Sequence, residues 1–220
     1  GKTLASCEQP RPDGLSQSFS LGRVFLAGGP ACLVLGVNIH YGDGLSERLH
    51  RSAGLTSGAR IFGYWVRDPR SYGVVEFDDE GKALSLEEKP DQPRSNYAVP
   101  GLYFYGPDVC SLAADLTPSP RGELEITDLN RRYLDRGELE VEMLGRGYAW
   151  LDAGTHKSLI EASSFIQAIE ERQGLKVGCL QEIAWSNTWI TTEDFRREAD
   201  AAGNSSYGEY LHQVLRRAEG

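Results

Sequence analysis

The hydrophobic and polar positions divide the chain into a first part with strand patterns and a last part with helical patterns. Short runs rich in β-branched and aromatic residues, bounded by Gly, Pro and Asp, predict strands. Six segments have this character: 31–36, 59–66, 72–78, 83–90, 96–106 and 138–144. The first, ACLVLG, is continuously apolar and predicts a strand covered on both faces. In 96–106, Pro100 predicts an edge position or a bulge in mid-strand. Two helices are predicted among these strands, at 107–116 and 125–137.

Helical periodicity dominates after Thr155, a residue type that caps helix starts. The apolar stripe of the first helix recurs at helical spacing: Leu159, Ala162, Ile166 and Ile169. Two more helices are predicted to begin near Thr191 and Asn204. We therefore expect a mixed α/β body over residues 1–155 and a mostly helical region over 156–220. These helices have little of their own to bury their apolar faces against, so we expect them to pack on the body or on another subunit.

Composition narrows the classes of partner. Hydrophobic residues make up 40% of the 220 positions, which supports a packed core. The net charge of −9 disfavours nucleic acids and anionic membranes as partners. No apolar run approaches the ~20 residues of a membrane span. The four cysteines are scattered and form no C-x-x-C pair, as is typical of reduced thiols. We expect a cytoplasmic protein.

Three motifs carry candidate chemistry, each with a plain structural alternative. In LEEKP, alternation places Glu88 on one face of a strand and Glu87 and Lys89 on the other. This is either a solvated turn, or a carboxylate that accepts from substrate hydroxyls beside an ammonium that holds phosphate. In GRGYAWLDAGT, Asp152 is either a turn residue or a ligand of Mg²⁺, with Trp150 as a wall for a sugar ring.

The third motif, EQPRPDGLSQSF at 8–19, is a proline-stiffened loop that turns into a helix. It is either an ordinary helix start or a site of base recognition, because Gln9 offers a donor and an acceptor together. SPRGELEITD at 119–128 is interpreted as structural, with acids favouring a helix N-terminus. FLAGGP at 25–30 lacks the spacing of a phosphate-binding loop. In LVLGVNIHYG, Val37 stands where a loop after a buried strand is expected to carry a polar group.

Taken in order, these motifs closely resemble the glucose-1-phosphate thymidylyltransferases. The segments that carry the resemblance span essentially the whole chain: QPRPDGLSQSF, LVLGVNIHYG, SLEEKP, SNYAVPGLYFY, RGELEITDLNRRYL and GRGYAWLDAGTHKSLIEASSFIQAIEERQGLKV. The resemblance implies an α/β fold, a Rossmann-like nucleotidyltransferase three-layer sandwich with a mixed sheet that lacks its first strand, and a C-terminal helical region. It also implies conversion of dTTP and glucose-1-phosphate to dTDP-glucose and pyrophosphate, with Mg²⁺.

The resemblance assigns roles residue by residue. Asp152 would hold Mg²⁺, and Asp152 and Lys89 would be catalytic. The substrate-binding residues would be Gln9, Pro12, Gly14, Asn38, Tyr72, Gly73, Glu88, Lys89, Val99 and Trp150. Among these, the Gln9 loop would contact the thymine nucleotide and Trp150 would lie against the sugar. Residues 156–220 would form an oligomerisation and regulatory region, which implies a homotetramer.

Two departures from the family pattern lead us to expect impaired activity. The family begins with a strand and the loop LAGGxGxRLxPxT, which is absent here, so we expect an N-terminally incomplete member. The family pattern LGDN reads LGVN, so Val37 replaces the second magnesium-ligating Asp. Two alternatives stay open: a non-catalytic module that binds sugar nucleotides or assembles with other subunits, and a uridylyl or cytidylyl transferase.

Overall fold

A computed structural model describes residues 3–219, with side chains described through residue 218. The chain divides into two compact units, Gly1–Gly154 and Thr155–Gly220. Within the described part of the chain, no helix is long and apolar enough to cross a membrane.

The first unit, here called the body, is mixed α/β. Its helices are α1 (Gln17–Leu21), α2 (Arg23–Leu26), α3 (Leu45–Ala53), α4 (Val109–Ala114) and α5 (Ile126–Asp135). Its strands are β1 (Ala31–Val34), β2 (Asn38–Gly42), β3 (Ala59–Trp65), β4 (Gly73–Phe77), β5 (Ala83–Glu88), β6 (Tyr97–Ala98), β7 (Leu102–Tyr105), β8 (Leu139–Leu144) and β9 (Tyr148–Asp152).

Seven of these strands form one mixed sheet in the order β1-β7-β3-β6-β4-β5, with β8 paired to β3. The β3–β8 pair is parallel and the other pairs are antiparallel. Strands β2 and β9 form a separate antiparallel pair, the β2–β9 ribbon, in which Asn38 lies opposite Asp152. The predicted mixed α/β architecture is therefore confirmed.

The central strand β3 has apolar cover on both faces. Ile61 packs in a cluster with Tyr105, Leu129 and the other buried residues of α4 and α5. Its neighbour Phe62 points to the opposite face and packs with Phe104 and residues of α3. Successive strand residues alternate between faces, so a strand covered on both sides is continuously apolar. Helices on both faces of one sheet give three layers.

The prediction of a doubly covered strand at 31–36 is wrong. Strand β1 ends at Val34 and, among the described residues, lies at the edge of the sheet and pairs with β7. Cys32 is exposed, and Val34 is 55% exposed. A short apolar run reports that a segment is extended, but not which neighbours cover it.

The segment 96–106 is interrupted at Pro100, as predicted, but it does not lie at an edge. It forms two strands, β6 and β7, which both pair with β3 inside the sheet. Pro100 is fully buried at the break between them. The loop expected after Gly36 also contains a strand, β2, that was not predicted. The local pattern did not indicate it because its partner β9 is more than 100 residues away in the chain.

The second unit, here called the helical unit, contains α6 (His156–Gln173), α7 (Leu180–Ser186), α8 (Thr192–Ala201) and α9 (Ser206–Glu219). Thr155 and Thr191 both form capping boxes, as the start signals suggested. Helix α7 was not predicted. The expectation that this region lacks a core is also wrong, because its helices bury a cluster of their own around Phe195, Ala199 and Leu211.

Candidate functional site

A cavity of about 210 Å³ lies in the body. Its walls come from the turn before β2, the start of β4, the end of β5, the Pro100 break and the end of β9. Eight residues predicted from the motifs line it: Asn38, Tyr72, Gly73, Glu88, Lys89, Val99, Trp150 and Asp152. Val37 lines it as well. Residues from five separate segments of the chain therefore meet around one space.

Glu88 is held from two sides at the end of β5. Thr127 donates its hydroxyl to Glu88 Oε2 at 2.5 Å. Arg121 Nη1 and Lys89 Nζ lie 3.6 and 4.0 Å from Glu88 Oε1. Gly73 permits this approach, because a Cβ there would lie 2.9 Å from Thr127 Oγ1. A carboxylate between a hydroxyl and two cations is fixed in direction.

Lys89 does not follow the alternation predicted for its strand. Both Glu88 and Lys89 line the cavity, whereas Glu87 lies 3.5 Å from Arg94 in an ion pair. The cause is local: Lys89 has a φ of +43°, in the left-handed region, and its N–H donates to Tyr72 O at 3.0 Å. Left-handed backbone is uncommon for a residue with a side chain and clusters at functional sites.

Trp150 forms an aromatic wall. Its ring centroid lies 4.8 Å from that of Tyr72 and 5.8 Å from that of Tyr64. The indole Nε1–H donates to Asn38 Oδ1 at 2.6 Å. The side chain is only 9% exposed, so its orientation is set by protein contacts. Burial and the Asp152 carboxylate raise the pKa of Tyr72, so this wall stays uncharged at neutral pH.

Asp152 is the carboxylate at the end of β9. Its Oδ1 accepts the N–H of Gly154 at 3.1 Å. Val37 lies beside it, since the N–H of Ala153 donates to Val37 O at 2.7 Å. Across the described residues, no group of three or more His, Cys, Asp and Glu side chains is placed to hold a metal ion. The neighbour of Asp152 is thus an aliphatic side chain that is 45% exposed, and the other carboxylate of the cavity, Glu88, is held by Thr127 and Arg121.

The Gln9 loop lies outside the lining of this cavity. Gln9 is exposed, and its Nε2 donates to Gly14 O at 3.1 Å and to Gln17 Oε1 at 2.7 Å. Pro12 is exposed as well. Gly14 has a φ of +107°, and a Cβ there would lie 2.4 Å from the carbonyl oxygen of Leu124, so no other residue fits. Only the neighbouring Leu15 reaches the cavity.

Three features of the site escaped the sequence analysis. Thr127 and Arg121 belong to SPRGELEITD, which was interpreted as structural, yet both contact Glu88. Arg121 also pairs with Glu125 at 3.3 Å, and burial raises the pKa of Glu125. The clustering of charged residues in this motif was the signal in the sequence that could have indicated their role at the site. A larger cavity of about 770 Å³, which shares Glu88 with the first, was not predicted either.

His40 is the third feature. It lies on the same face of the β2–β9 ribbon as Trp150, its register partner. Both ring nitrogens of His40 and the hydroxyl of Tyr148 are buried without a hydrogen-bond partner among the described residues. Burial lowers the pKa of His40 to about 4, so the ring is neutral at pH 7. Buried polar atoms without partners are uncommon in folded proteins.

Comparison with known proteins identifies a matching family and close relatives of this chain. A family model described as "Nucleotidyl transferase" matches residues 2–169. A glucose-1-phosphate thymidylyltransferase of Xanthomonas campestris is 54% identical over 217 residues, which cover 99% of this chain and 74% of that protein. Proteins of the same name from Neisseria gonorrhoeae and Mycobacterium tuberculosis are both 51% identical, over 98% and 99% of this chain and 75% of each relative.

Solved structures agree on the fold. A crystal structure of a Bacillus anthracis protein assigned to the glucose-1-phosphate thymidylyltransferases, in complex with sucrose, matches with a TM-score of 0.64 at 37% identity. The match covers 71% of this chain and 62% of that one. A UDP-glucose pyrophosphorylase with UDP-glucose matches with a TM-score of 0.62 at 22% identity, over 75% of this chain and 65% of that one. The chain therefore spans about three fifths to three quarters of the proteins it matches.

Proposed function

Because the chain belongs to the nucleotidyl transferase family, and within it to the glucose-1-phosphate thymidylyltransferases, we propose that its cavity binds the sugar-phosphate part of a thymidine sugar nucleotide. The proposed reaction joins dTTP and glucose-1-phosphate to give dTDP-glucose and pyrophosphate. The observation that carries the proposal is the convergence of eight motif residues on one cavity of about 210 Å³.

In this reaction an oxygen of the sugar phosphate attacks the α-phosphorus of dTTP. One P–O bond forms as the bond to pyrophosphate breaks, and negative charge builds up on the phosphoryl oxygens. The side chain of Lys89 is 45% exposed at the cavity and brings an ammonium to neutralise this charge. The left-handed backbone of Lys89 turns this ammonium to the same side as Glu88.

The sugar end is assigned to the part of the cavity formed by Glu88, Trp150 and Tyr72. Glu88 offers carboxylate oxygens to sugar hydroxyls while Thr127 and Arg121 fix its direction. Trp150 gives an apolar surface for the sugar ring, and Tyr72 packs against it at 4.8 Å. The remaining predicted residues, Gly73 and Val99, leave room at the floor. Buried, oriented polar groups of this kind favour one arrangement of hydroxyls.

Mg²⁺ is usually held by one or two protein carboxylates together with substrate phosphates. Asp152 fits the lower limit of that range: it has no ion-pair partner in the described part of the chain and lines the cavity. We propose that Asp152 would hold Mg²⁺ with phosphate oxygens of the substrates, where the ion would neutralise phosphate charge. Val37 provides no second ligand, so binding of the metal should be weak.

The nucleotide base is assigned to the Gln9 loop. Both hydrogens of Gln9 Nε2 are used, by Gly14 and Gln17. This leaves Gln9 Oε1 to accept from the N3–H of thymine, with Pro12 as a flat neighbour. Uracil presents the same N–H and carbonyl edge. Parallel measurements with dTTP and UTP therefore decide between thymidylyl and uridylyl transfer.

The helical unit is proposed as the oligomerisation and regulatory region. Helix α6 buries only Ala162 among its described residues, while Leu159 and Ile160 are 52% and 67% exposed. Apolar side chains on one helix suit burial against a second copy. We propose a homotetramer in the cytoplasm, where nucleoside triphosphates are supplied. Light scattering after size exclusion tests the assembly, and a monomer at micromolar concentration would contradict it.

One observation favours a second candidate function. Val37 beside Asp152 leaves a single carboxylate at the proposed metal position. A non-catalytic module would bind dTDP-glucose without turnover. Thermal shift with dTDP-glucose and pyrophosphate release from dTTP and glucose-1-phosphate separate the two functions.

The variant Val37→Asp sharpens this test, with Val37→Asn as an uncharged control of similar size. If Val37 limits the reaction, the Asp variant should release pyrophosphate about 10²-fold faster than the unchanged chain, since deletion of a single electrostatic group has costs of this size elsewhere. The Asn variant should show no gain. Binding of dTDP-glucose without turnover in all three proteins would support the non-catalytic module, and absence of binding would contradict both functions.

A further inference from the structure

Glu125 is a buried carboxylate at the start of α5 that the proposed site does not use. Only 6% of the residue is exposed, and Ile126 and Thr127 line the cavity of about 210 Å³ whereas Glu125 does not. The N-cap position of α5 usually carries a side chain that accepts helix N–H groups, but Glu125 makes no such hydrogen bond. Its Oε1 instead accepts from the Ser119 hydroxyl at 3.0 Å and from Arg121 Nη1 at 3.3 Å. The carboxylate therefore serves the turn before the helix.

Arg121 lies between two carboxylates. Its Nη1 is 3.3 Å from Glu125 Oε1 and 3.6 Å from Glu88 Oε1. The side chains of Glu125 and Glu88 are 8% and 19% exposed, whereas that of Arg121 is 42% exposed. A half-exposed arginine can adopt several rotamers, and a hydrogen bond to a buried carboxylate selects one of them. Glu125 therefore sets the place of the guanidinium that faces Glu88.

The Gln9 loop holds the backbone of Glu125. Ser16 is fully buried, and its hydroxyl donates to the backbone oxygen of Glu125 at 3.0 Å. The N–H of Ser16 donates to Leu124 O at 3.1 Å, and the N–H of Leu124 donates to Asp13 O at 2.7 Å. Ser16 and Glu125 are 109 positions apart in the chain. The place of this carboxylate is therefore set by tertiary contacts with the loop that is assigned to the nucleotide base.

We propose that Glu125 is a positioning residue for the sugar end of the cavity: its carboxylate holds Arg121 against Glu88, and Arg121 in turn fixes the direction of Glu88. The proposal rests on the proposed function, because it takes Glu88 as the group that accepts from sugar hydroxyls. Without the charge of Glu125, Arg121 keeps a more exposed partner, Glu123, whose Oε1 lies 3.3 Å from Arg121 Nη2. The guanidinium would then turn toward solvent, and Glu88 would lose one of the groups that hold it.

The position of Arg121 is tested on the full chain without ligand. The variant Glu125→Gln keeps the size and an acceptor oxygen of the side chain but removes its charge, and charge-assisted hydrogen bonds are about twice as strong as neutral ones. In crystal structures we expect Arg121 Nη1 to face Glu88 in the unchanged chain and to leave it in the variant. Glu123→Gln, which removes the more exposed partner, is the matched control and should leave Arg121 in place. An Arg121 that stays at Glu88 in Glu125→Gln would overturn the positioning role.

The consequence for binding is tested by calorimetry with dTDP-glucose in EDTA. The affinity of Glu125→Gln should fall about tenfold, the size expected when a hydrogen bond to a charged group is weakened or lost. That of Glu123→Gln should fall about threefold or less, because exposed ion pairs contribute little. Since Glu125 is proposed to act through Arg121, Glu125→Gln should have no further effect in a chain that also carries Arg121→Gln. An equal fall with and without Arg121→Gln, or no fall at all, would overturn the proposal.

A second variant covers a Gln variant that does not fold. Glu125→Asp keeps the charge on a shorter side chain that does not reach Arg121, so it should show the same displacement of Arg121 and the same loss of affinity. An Asp variant with Arg121 in place and unchanged affinity would contradict the proposal. If the unchanged chain fails to bind dTDP-glucose, the proposed function fails and the assignment to the sugar end fails with it, while the crystal structures still decide whether Glu125 positions Arg121.

Discussion

The two units of the chain treat their polar groups differently. In the helical unit, Thr155 and Thr191 close capping boxes, and the partly buried hydroxyl of Tyr207 donates to Gln181 Oε1. In the body, the buried unpartnered side-chain atoms of the described residues belong to His40 and Tyr148, beside Trp150. Lys89 has a left-handed backbone at the cavity, which His40 and Tyr148 do not line, and Thr188 has one in the helical unit. Among the described residues, buried side-chain polar atoms without a partner are confined to the body, whereas both units contain a non-glycine residue with left-handed backbone.

The largest expected effect concerns the buried cluster of the helical unit. Phe195 is fully buried and stacks on Trp185 with ring centroids 5.0 Å apart. Phe195→Ala should lower the free energy of unfolding of the helical unit by about 3–5 kcal/mol, through lost burial and the cavity left behind. Urea unfolding followed by tryptophan fluorescence measures this. Leu180→Ala, at a position 75% exposed, is the control and should change the value by about 0.5 kcal/mol or less.

The next effect concerns the cavity. Lys89→Ala removes the ammonium proposed to meet phosphate, and a hydrogen bond to a charged group contributes about 1.5–3 kcal/mol. The affinity for dTDP-glucose should fall about 10- to 100-fold in calorimetry. Lys82→Ala, at an exposed position in the β4–β5 turn, is the matched control and should bind normally. Equal affinities for both variants would show that the strained position of Lys89 does not serve ligand binding.

A smaller effect depends on pH. The pKa of His40 is lowered by burial from 6.5 to about 4, so the folded body disfavours the charged ring. Stability from this group is complete above pH 6.5 and is lost as the pH falls toward 4, because only the unfolded chain takes up the proton. We expect a loss of about 1–2 kcal/mol for this half-buried group. His40→Phe should flatten melting temperature against pH between 7 and 4.5, whereas His50→Gln should not.

The smallest expected effect concerns the capping box at the start of α6 in the helical unit. Thr155 Oγ1 accepts the N–H of Ser158 at 3.1 Å, and Ser158 Oγ accepts the N–H of Thr155 at 3.0 Å. Thr155→Ala should lower the free energy of unfolding by about 1 kcal/mol. Ser163→Ala, within the same helix and exposed, serves as the control. If the free energy of unfolding falls no more in Thr155→Ala than in the control variant, the cap contributes nothing to stability here.

The sequence predicted strands, capped helices and residues that meet at the cavity. These depend on local periodicity and on short motifs, each within a single segment of the chain. It placed β1 in the interior and missed β2, since both depend on pairing partners far away in the chain. It assigned Gln9, Pro12 and Gly14 to the thymine nucleotide and Trp150 to the sugar, and of these only Trp150 lines the cavity. Local sequence patterns do not indicate how close two distant segments lie in the folded chain.

What the sequence alone determined is therefore the family and the residue types that line the cavity, including the aliphatic side chain of Val37. The tertiary structure decided how those types act. The left-handed backbone moves Lys89 to the side of Glu88, and the pairing of β2 with β9 brings Asn38 to Trp150. The physical reason is that a hydrogen bond needs two atoms within about 3 Å at a fixed angle, and only the folded chain sets that geometry.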